Sequence, residues 1–181
     1  MTGPTVRLAQ QGDRRAFEDL IVGRLDRLYA TAALILHDRT LGEDAVQEAL
    51  IRTWKSLPAL RDPDRFDGWL HRVLVHACLD TARGAKHQRQ EHELPLALAT
   101  QRDFETAAAD RDAVSRALGR LTTDHRAAFV LRHYLDLTVP EIADALVIRL
   151  GTAKSRLHYA EQAMVAALDA DGRVAMQGGV A

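Results

Sequence analysis

The stretch Leu121–Tyr159, LTTDHRAAFVLRHYLDLTVPEIADALVIRLGTAKSRLHY, decides the fold. Its apolar residues recur at helical spacing and predict helices near 123–135, 139–146 and 150–169. The last two, joined by a tight turn, read as a helix-turn-helix. Thr138 and Glu141 form a capping box, in which each side chain can satisfy the other's backbone N–H. Pro140 sits in that first turn, where its missing N–H costs nothing. No acid lies between Asp144 and Glu161, whereas Arg149, Lys154, Arg156 and His158 do. On a helical wheel Ala153, Leu157, Ala160, Met164 and Leu168 form a core stripe. Thr152, Ser155 and Tyr159 lie opposite it with Gln162 alongside, and Lys154 and Arg156 fall on the flanks. An amphipathic surface helix has the same stripe. Small polar groups at the centre and cations at both edges additionally suit a DNA major groove, with base edges in the middle and phosphates on either side.

Outward from this segment the chain reads as all-α. Its 181 residues allow one ordinary domain or two small ones. Phe17, Leu20, Ile21, Leu25, Leu28 and Ala32 predict one long helix over about 12–37. A second helix is predicted from Leu41 to Leu57, and Pro58 and Pro63 bracket a loop after it. A third, with the stripe Phe66, Trp69, Leu70, Val73, Leu74 and Ala77, runs from Phe66 to about Gln88. Residues 89–105 hold Pro95 and no clean period, which reads as linker, and a helix returns near 106–119. Two small helical domains joined by a linker follow, with boundaries at 1–92, 93–112 and 113–170, and a frayed tail over 171–181 that holds three glycines.

Charge is nearly balanced, with 24 Lys and Arg against 25 Asp and Glu. The first domain carries 14 basic and 13 acidic residues, the linker 2 and 5, and the remainder 8 and 7. So few cations neutralise few phosphates, and the chain alone should bind DNA weakly. The lone Cys78 cannot form an internal disulfide and reads as a small buried hydrophobe, as expected of a cytoplasmic protein. The apolar run around Ala32–Leu36 is too short to span a bilayer, and the N-terminus does not resemble a secretory signal, so no membrane insertion is expected. His71 and His76 are five apart, as are His87 and His92, which does not align two ligands on one helix face. No metal site, no cofactor and no nucleophile–base pair is expected, and hence no enzyme.

The second helix has two faces. Ala45, Val46, Ala49, Leu50, Thr53, Trp54 and Leu57 share one, and Asp44, Gln47, Glu48, Ile51 and Lys55 share the other. The polar side could be an ordinary solvated face. Ile51 in its middle suits a protein contact better.

DAVQEALIRTWKSL (44–57), FDGWLHRVLVHACLDTAR (66–83), LTTDHRAAFVLRHYLDLTVPEIADAL (121–146) and GTAKSRLHYA (151–160) together resemble bacterial RNA polymerase sigma factors. More narrowly, they resemble the extracytoplasmic-function (ECF) group of the sigma-70 family, which keeps regions 2 and 4 joined by a linker. The resemblance implies a region 2 bundle, a region 4 helix-turn-helix, and core polymerase (β and β′ subunits), promoter DNA and an anti-sigma factor as partners. Asp44, Gln47, Glu48 and Ile51 would dock on the clamp helices of β′. The loop Leu60–Arg65, with Arg61 and Arg65, would capture a flipped base of the −10 element. Arg72, His76, Arg83, Lys86 and Arg89 on the next helix would face melting −10 DNA. Arg149, Thr152, Lys154, Ser155, Arg156, His158 and Tyr159 would serve the −35 element. The acidic linker would run through the polymerase toward the RNA exit path.

Three positions depart from the family pattern. His76 stands where Asn is usual, and its charge can change near neutral pH. Val147 stands where the turn usually has Gly; a left-handed conformation there would cost about 1–2 kcal/mol, and a remodelled turn is the alternative. Arg149 replaces the usual Ser or Pro at the helix start, which removes a side-chain N-cap. Two other functions compete with the sigma reading. A sigma mimic that occupies an anti-sigma factor would not need the groove-side residues of the last helix, and a simple helix-turn-helix regulator would not need the polar face of 44–55.

Overall fold

The computed structural model describes residues 2–91 and 108–177, and the described residues are helical with short turns. The first half comprises α1 (Thr2–Gln10), α2 (Arg14–Val22), α3 (Leu25–Leu36), α4 (Arg39–Ser56) and α5 (Phe66–Glu91). Two 3-10 turns, Leu57–Ala59 and Pro63–Arg65, lie between α4 and α5. The second half comprises α6 (Ala108–Arg120), α7 (Thr123–His133), α8 (Val139–Leu146) and α9 (Leu150–Gln177). The acidic linker sequence falls largely on residues 92–107, outside the described residues.

The single helix expected over 12–37 is two. Gly23 ends α2, and Arg24 is bent away from helical geometry at φ −118°. The Arg24 side chain stabilises the break by donating to Leu20 O (2.6 Å) and to Asp67 at the start of α5 (2.5 Å). Asp13 caps α2 by accepting from Ala16 N at 3.1 Å. Helix α1 was not anticipated. Only Val6 and Ala9 bury apolar surface there, too short a stripe to stand out. At the other end, α9 runs to Gln177 in place of a tail from Asp171. Good helix formers such as Arg173, Ala175 and Met176 carry it past Gly172. Helix α7 stops at His133, two residues earlier than expected, because the chain turns through Asp136 at φ 57°.

Helices α3, α4 and α5 form a tight trio. His37 closes α3 in a left-handed conformation and Asp38 caps α4 by accepting from Leu41 N (3.0 Å). Gly42 lets α4 approach α3. A Cβ there would lie 3.0 Å from Ala33 N. The expected buried face of α4 is observed: Ala45, Val46, Ala49, Thr53 and Leu57 are buried. So is the stripe of α5, with Phe66, Leu70, Leu74 and Ala77 fully enclosed. Cys78 is buried among them, and burial pushes its thiol up to about 12, so it stays an inert thiol.

The two halves are not separate beads. Helix α7 packs on α3 and α8 packs on α5. One continuous buried cluster joins Leu28, Ile35, Leu74 and Cys78 to Ala127, Leu131, Ile142 and Ala145. Arg126 on α7 is the polar centre of this junction. It is 7% exposed, and its guanidinium donates to Ile35 O (2.6 Å) and Leu118 O (3.2 Å). These carbonyls belong to the last turns of α3 and α6 and lie at the negative ends of two helix dipoles; Leu118 O also accepts from Leu121 N at 3.1 Å. Burial lowers the Arg126 pKa to about 10, so the group is still a cation at neutral pH. Arg27 adds a peripheral tie, donating to Tyr134 O at 3.2 Å.

Arg126→Met should leave the Ile35 carbonyl unpartnered and take one of two donors from Leu118 O. The expected cost is about 1–3 kcal/mol, read as a fall in melting temperature of about 2–4 °C per kcal/mol. Arg126→Lys, which retains a charge but not the fork, should fall between. An unchanged melting temperature for Arg126→Met would show that this socket does not hold the halves together.

Candidate nucleic-acid and protein interfaces

The capping box expected at the start of α8 is present. Thr138 N donates to Glu141 Oε2 at 2.8 Å, and Glu141 N donates to Thr138 Oγ1 at 3.5 Å. The Thr138 hydroxyl, donating to Glu141 Oε2 at 2.6 Å, and then Thr138 N hold the Glu141 carboxyl below its ordinary range. At the other end of α8, Val147 adopts φ 52°, ψ 50°, and Ile148 N donates back to Ala143 O at 3.0 Å. The turn therefore keeps the left-handed closure that Gly would adopt freely. Val147 bears the conformational cost, and its side chain, 62% exposed, recovers little by packing. Arg149 lies exposed just before α9, and its carbonyl accepts from Ala153 N at 3.0 Å.

On α9 the buried stripe is Ala153, Leu157, Ala160, Met164 and Ala167. Leu168, expected to continue it, is 37% exposed. The steps of four and three that keep a stripe in phase lead from Met164 to Ala167, so Leu168 drifts off the seam. Thr152, Lys154, Ser155, His158 and Tyr159 are all exposed. Tyr159 is 60% exposed, with His125 and His158 ring centroids 6.2 and 6.0 Å away. Arg156 is less free than the wheel implied. Its guanidinium pairs with Asp124 on α7 at 3.0 Å, which ties the middle of α9 to the preceding unit.

In the first half, Asp44, Gln47 and Ile51 lie exposed along α4, with Ile51 50% exposed. Glu48 shares their face but is engaged: it accepts from Arg52 Nε at 2.7 Å, and Arg52 also donates to Asp80 on α5 at 2.7 Å. Asp80 further accepts from Arg83 at 2.8 Å. A charged ladder thus runs from the polar face of α4 to α5. Arg72, His76, Arg83 and Lys86 fall within one side of α5 at helical spacing, while Arg89 lies beyond the described side chains. Arg72, Arg83 and Lys86 are exposed. His76 is not. It is half-buried, beside the Ala145 backbone of α8, which packs against α5. Burial, then the Arg72 charge, lowers its pKa, so the ring is neutral at pH 7. Arg61 and Arg65 are exposed in the loop before α5, Arg65 within 3.4 Å of the Asp62 carboxylate.

Among the described residues, no helix is long and apolar enough to cross a membrane, and no three His, Cys, Asp or Glu side chains are grouped as a metal site. Helices and faces together define a class of protein: a helix-turn-helix whose second helix has an exposed polar face, docked on a bundle that carries another outward-facing polar helix. Comparison with known proteins agrees in both halves. The family model for Sigma-70 region 2 matches residues 15–88, and that for Sigma-70, region 4 matches residues 111–164. ECF RNA polymerase sigma factor SigM of Mycobacterium tuberculosis is 34% identical over 148 residues, covering 80% of this chain and 73% of that protein. ECF RNA polymerase sigma factor SigL of the same organism is 32% identical over 141 residues, covering 76% and 80%. The solved structure of CnrH in complex with the cytosolic domain of CnrY superposes with a TM-score of 0.68 at 27% identity, covering 94% of this chain and 98% of that one. The chain belongs to the sigma-70 family of RNA polymerase sigma factors, in its extracytoplasmic-function group.

Sequence reasoning passed over two residues of this region. Arg126 belongs to no motif, and Asp124, which holds Arg156, lies outside the groove helix. Val147→Gly should remove the left-handed penalty of about 1–2 kcal/mol and restore about 0.5–1 kcal/mol of unfolded-state entropy. A net stabilisation of up to about 1 kcal/mol should raise the urea midpoint. A lowered midpoint would mean that the Val147 side chain packs more than its exposure suggests.

Proposed function

We propose that this chain is a dissociable initiation subunit that acts through three surfaces. The α4 face of Asp44, Gln47, Glu48 and Ile51 docks on core RNA polymerase, at the β′ subunit. The loop Leu60–Arg65 and the α5 side of Arg72, His76, Arg83, Lys86 and Arg89 contact the −10 element. Arg149, Thr152, Lys154, Ser155, Arg156, His158 and Tyr159 read and grip the −35 element. The chain performs no catalysis of its own and works in the cytoplasm, where polymerase and promoters are. The observation that carries this reading is the pairing of an exposed α4 face, with Ile51 at its centre, and an acid-free exposed α9 face in one folded unit. The sigma-mimic alternative leaves the second face without a use, and the simple-regulator alternative leaves the first. The CnrH structure contains the cytosolic domain of CnrY, which supports a protein partner, an anti-sigma factor, for this chain.

The docked arrangement bears on promoter binding. With His76 half-buried where α8 packs on α5, the free chain presents an incomplete −10 surface. Balanced charge weakens it further. Transcription reconstituted from purified core polymerase, this chain and a promoter library is the direct test of the whole reading.

Asp44→Arg combined with Ile51→Asp should abolish most core association in pull-down while helicity and melting temperature stay unchanged, since both side chains face away from the buried stripe. Glu48 is a poorer probe, because replacing it also breaks the Arg52 pair. Undiminished pull-down by the double variant would remove α4 as the docking helix.

On α9, Ala at Thr152, Ser155 or Tyr159 should change which −35 base pairs are preferred, by roughly 1–3 kcal/mol of discrimination for a good contact. Ala at Lys154 should weaken holoenzyme binding on all −35 variants about equally and flatten its salt dependence. If Lys154→Ala alters sequence preference and the central changes do not, the helix is rotated relative to this assignment.

A further inference from the structure

Helix α1 lies against the loop that precedes α5 and touches it at both ends. Gln10, the last residue of α1, donates through its amide Nε2 to Leu57 O (3.1 Å) and Leu60 O (2.7 Å). Leu57 O already accepts from Leu60 N at 3.0 Å, closing the first 3-10 turn. Gln10 therefore ties together the carbonyls that begin and end that turn. At the other end of α1, Gly3 meets the second turn. A Cβ on Gly3 would lie 2.9 Å from Asp64 Oδ1. Residues 3 and 10 of a helix are separated by about 10 Å. A single rigid segment thus spans the stretch from Leu57 to Asp64. Between these supports Leu60, Arg61 and Asp62 leave the 3-10 turns, with Asp62 Oδ1 accepting from Asp64 N at 3.1 Å and Arg61 exposed.

The splint is itself anchored. Val6 and Ala9 are buried in the main cluster, and α1 packs on α2. Gly12, at φ 93°, makes the sharp connection to α2, a conformation that side-chain-bearing residues rarely adopt. The chain thus commits a whole helix to a loop that contributes only Leu57 and Phe66, at its edges, to the fully buried core.

We propose that Gln10 is a positioning residue for −10 recognition: its bifurcated amide, on the α1 splint, fixes the shape of the Leu60–Arg65 loop and so the set of −10 bases the loop accepts. This inference rests on the reading above that the loop contacts the −10 element. The chemistry is specific to a donor. A carboxylate at the same place has the shape of the amide but sets an acceptor oxygen where Nε2 donates to both carbonyl oxygens. A lysine ammonium can donate to both.

The test uses holoenzymes formed with full-length Gln10→Glu, Gln10→Lys and Arg61→Ala chains, transcribing a library randomised at the −10 element and a second randomised at −35. Gln10→Glu is expected to reduce discrimination at the −10 positions that Arg61→Ala also affects by about fivefold or more, the lower range for loss of a good base contact. Its −35 preference and core affinity should stay unchanged, and Gln10→Lys should recover most of the discrimination. If Gln10→Glu does not fold, Gln10→Ala, which keeps α1 helical and deletes the donor, carries the same expectation. Uniformly reduced transcription with unaltered −10 preference would overturn the proposal and leave Gln10 a purely structural cap. If Arg61→Ala also leaves −10 preference unaltered, the loop reading itself fails and the positioning role fails with it. If Arg61→Ala changes preference while the Gln10 variants do not, only the positioning role fails.

Discussion

The guanidinium of Arg126 sits where two helices end. Each helix terminus leaves carbonyls that no N–H of its own turn can reach. Here Ile35 O in the last turn of α3 is such a carbonyl, and it and Leu118 O of α6, which also accepts from Leu121 N, meet one buried cation from α7. Without a donor, burying Ile35 O would be unfavourable by about 1–3 kcal/mol. With one, the C-terminus of α3 can be covered, α7 can lie on it, and α8 follows onto α5. The desolvation that lowers the Arg126 pKa is the cost of this arrangement. The surrounding apolar cluster, continuous across both halves, offsets it.

That junction decides what each surface offers. Helix α4 keeps its polar face free, since its other side is occupied by α3 and α5. The groove side of α9 is also outward, because Ala153, Leu157 and Ala160 turn inward. The α5 side is different, because α8 covers His76 and leaves Arg72, Arg83 and Lys86 open. The same helix-turn-helix that turns one polar face outward thus covers part of another.

Features governed by neighbours in sequence were legible. The Thr138–Glu141 box, the two faces of α4 and the stripe of α5 depend on residues within a turn or two of one another, and each is found where periodicity and capping chemistry put it. Val147 is a sharper instance, since the family pattern implied a left-handed residue and the backbone keeps it despite the β-branched side chain. The break at Gly23 was hidden because Phe17, Leu20 and Ile21 on one side and Leu25, Leu28 and Ala32 on the other continue a plausible single stripe. Helix α1 was hidden by its brevity. The docking of the two halves was hidden for another reason. Arg126 and Ile35 are 91 residues apart, and Ala127, Ile142 and Ala145 look like ordinary core of their own unit whichever partner buries them. The Arg156–Asp124 pair was hidden likewise, because a wheel cannot show a contact with another helix.

The two halves that meet at Arg126 are also joined covalently, through the residues between Glu91 and Ala108. Their association is therefore intramolecular, and its strength depends on an effective concentration set by the connecting segment, not on the amount of protein present. A contact too weak to persist between two separate molecules can persist here at any dilution. Lengthening or cutting the connection would loosen the closed form with every contact residue intact. The acidic segment thus has a thermodynamic role that its composition does not reveal.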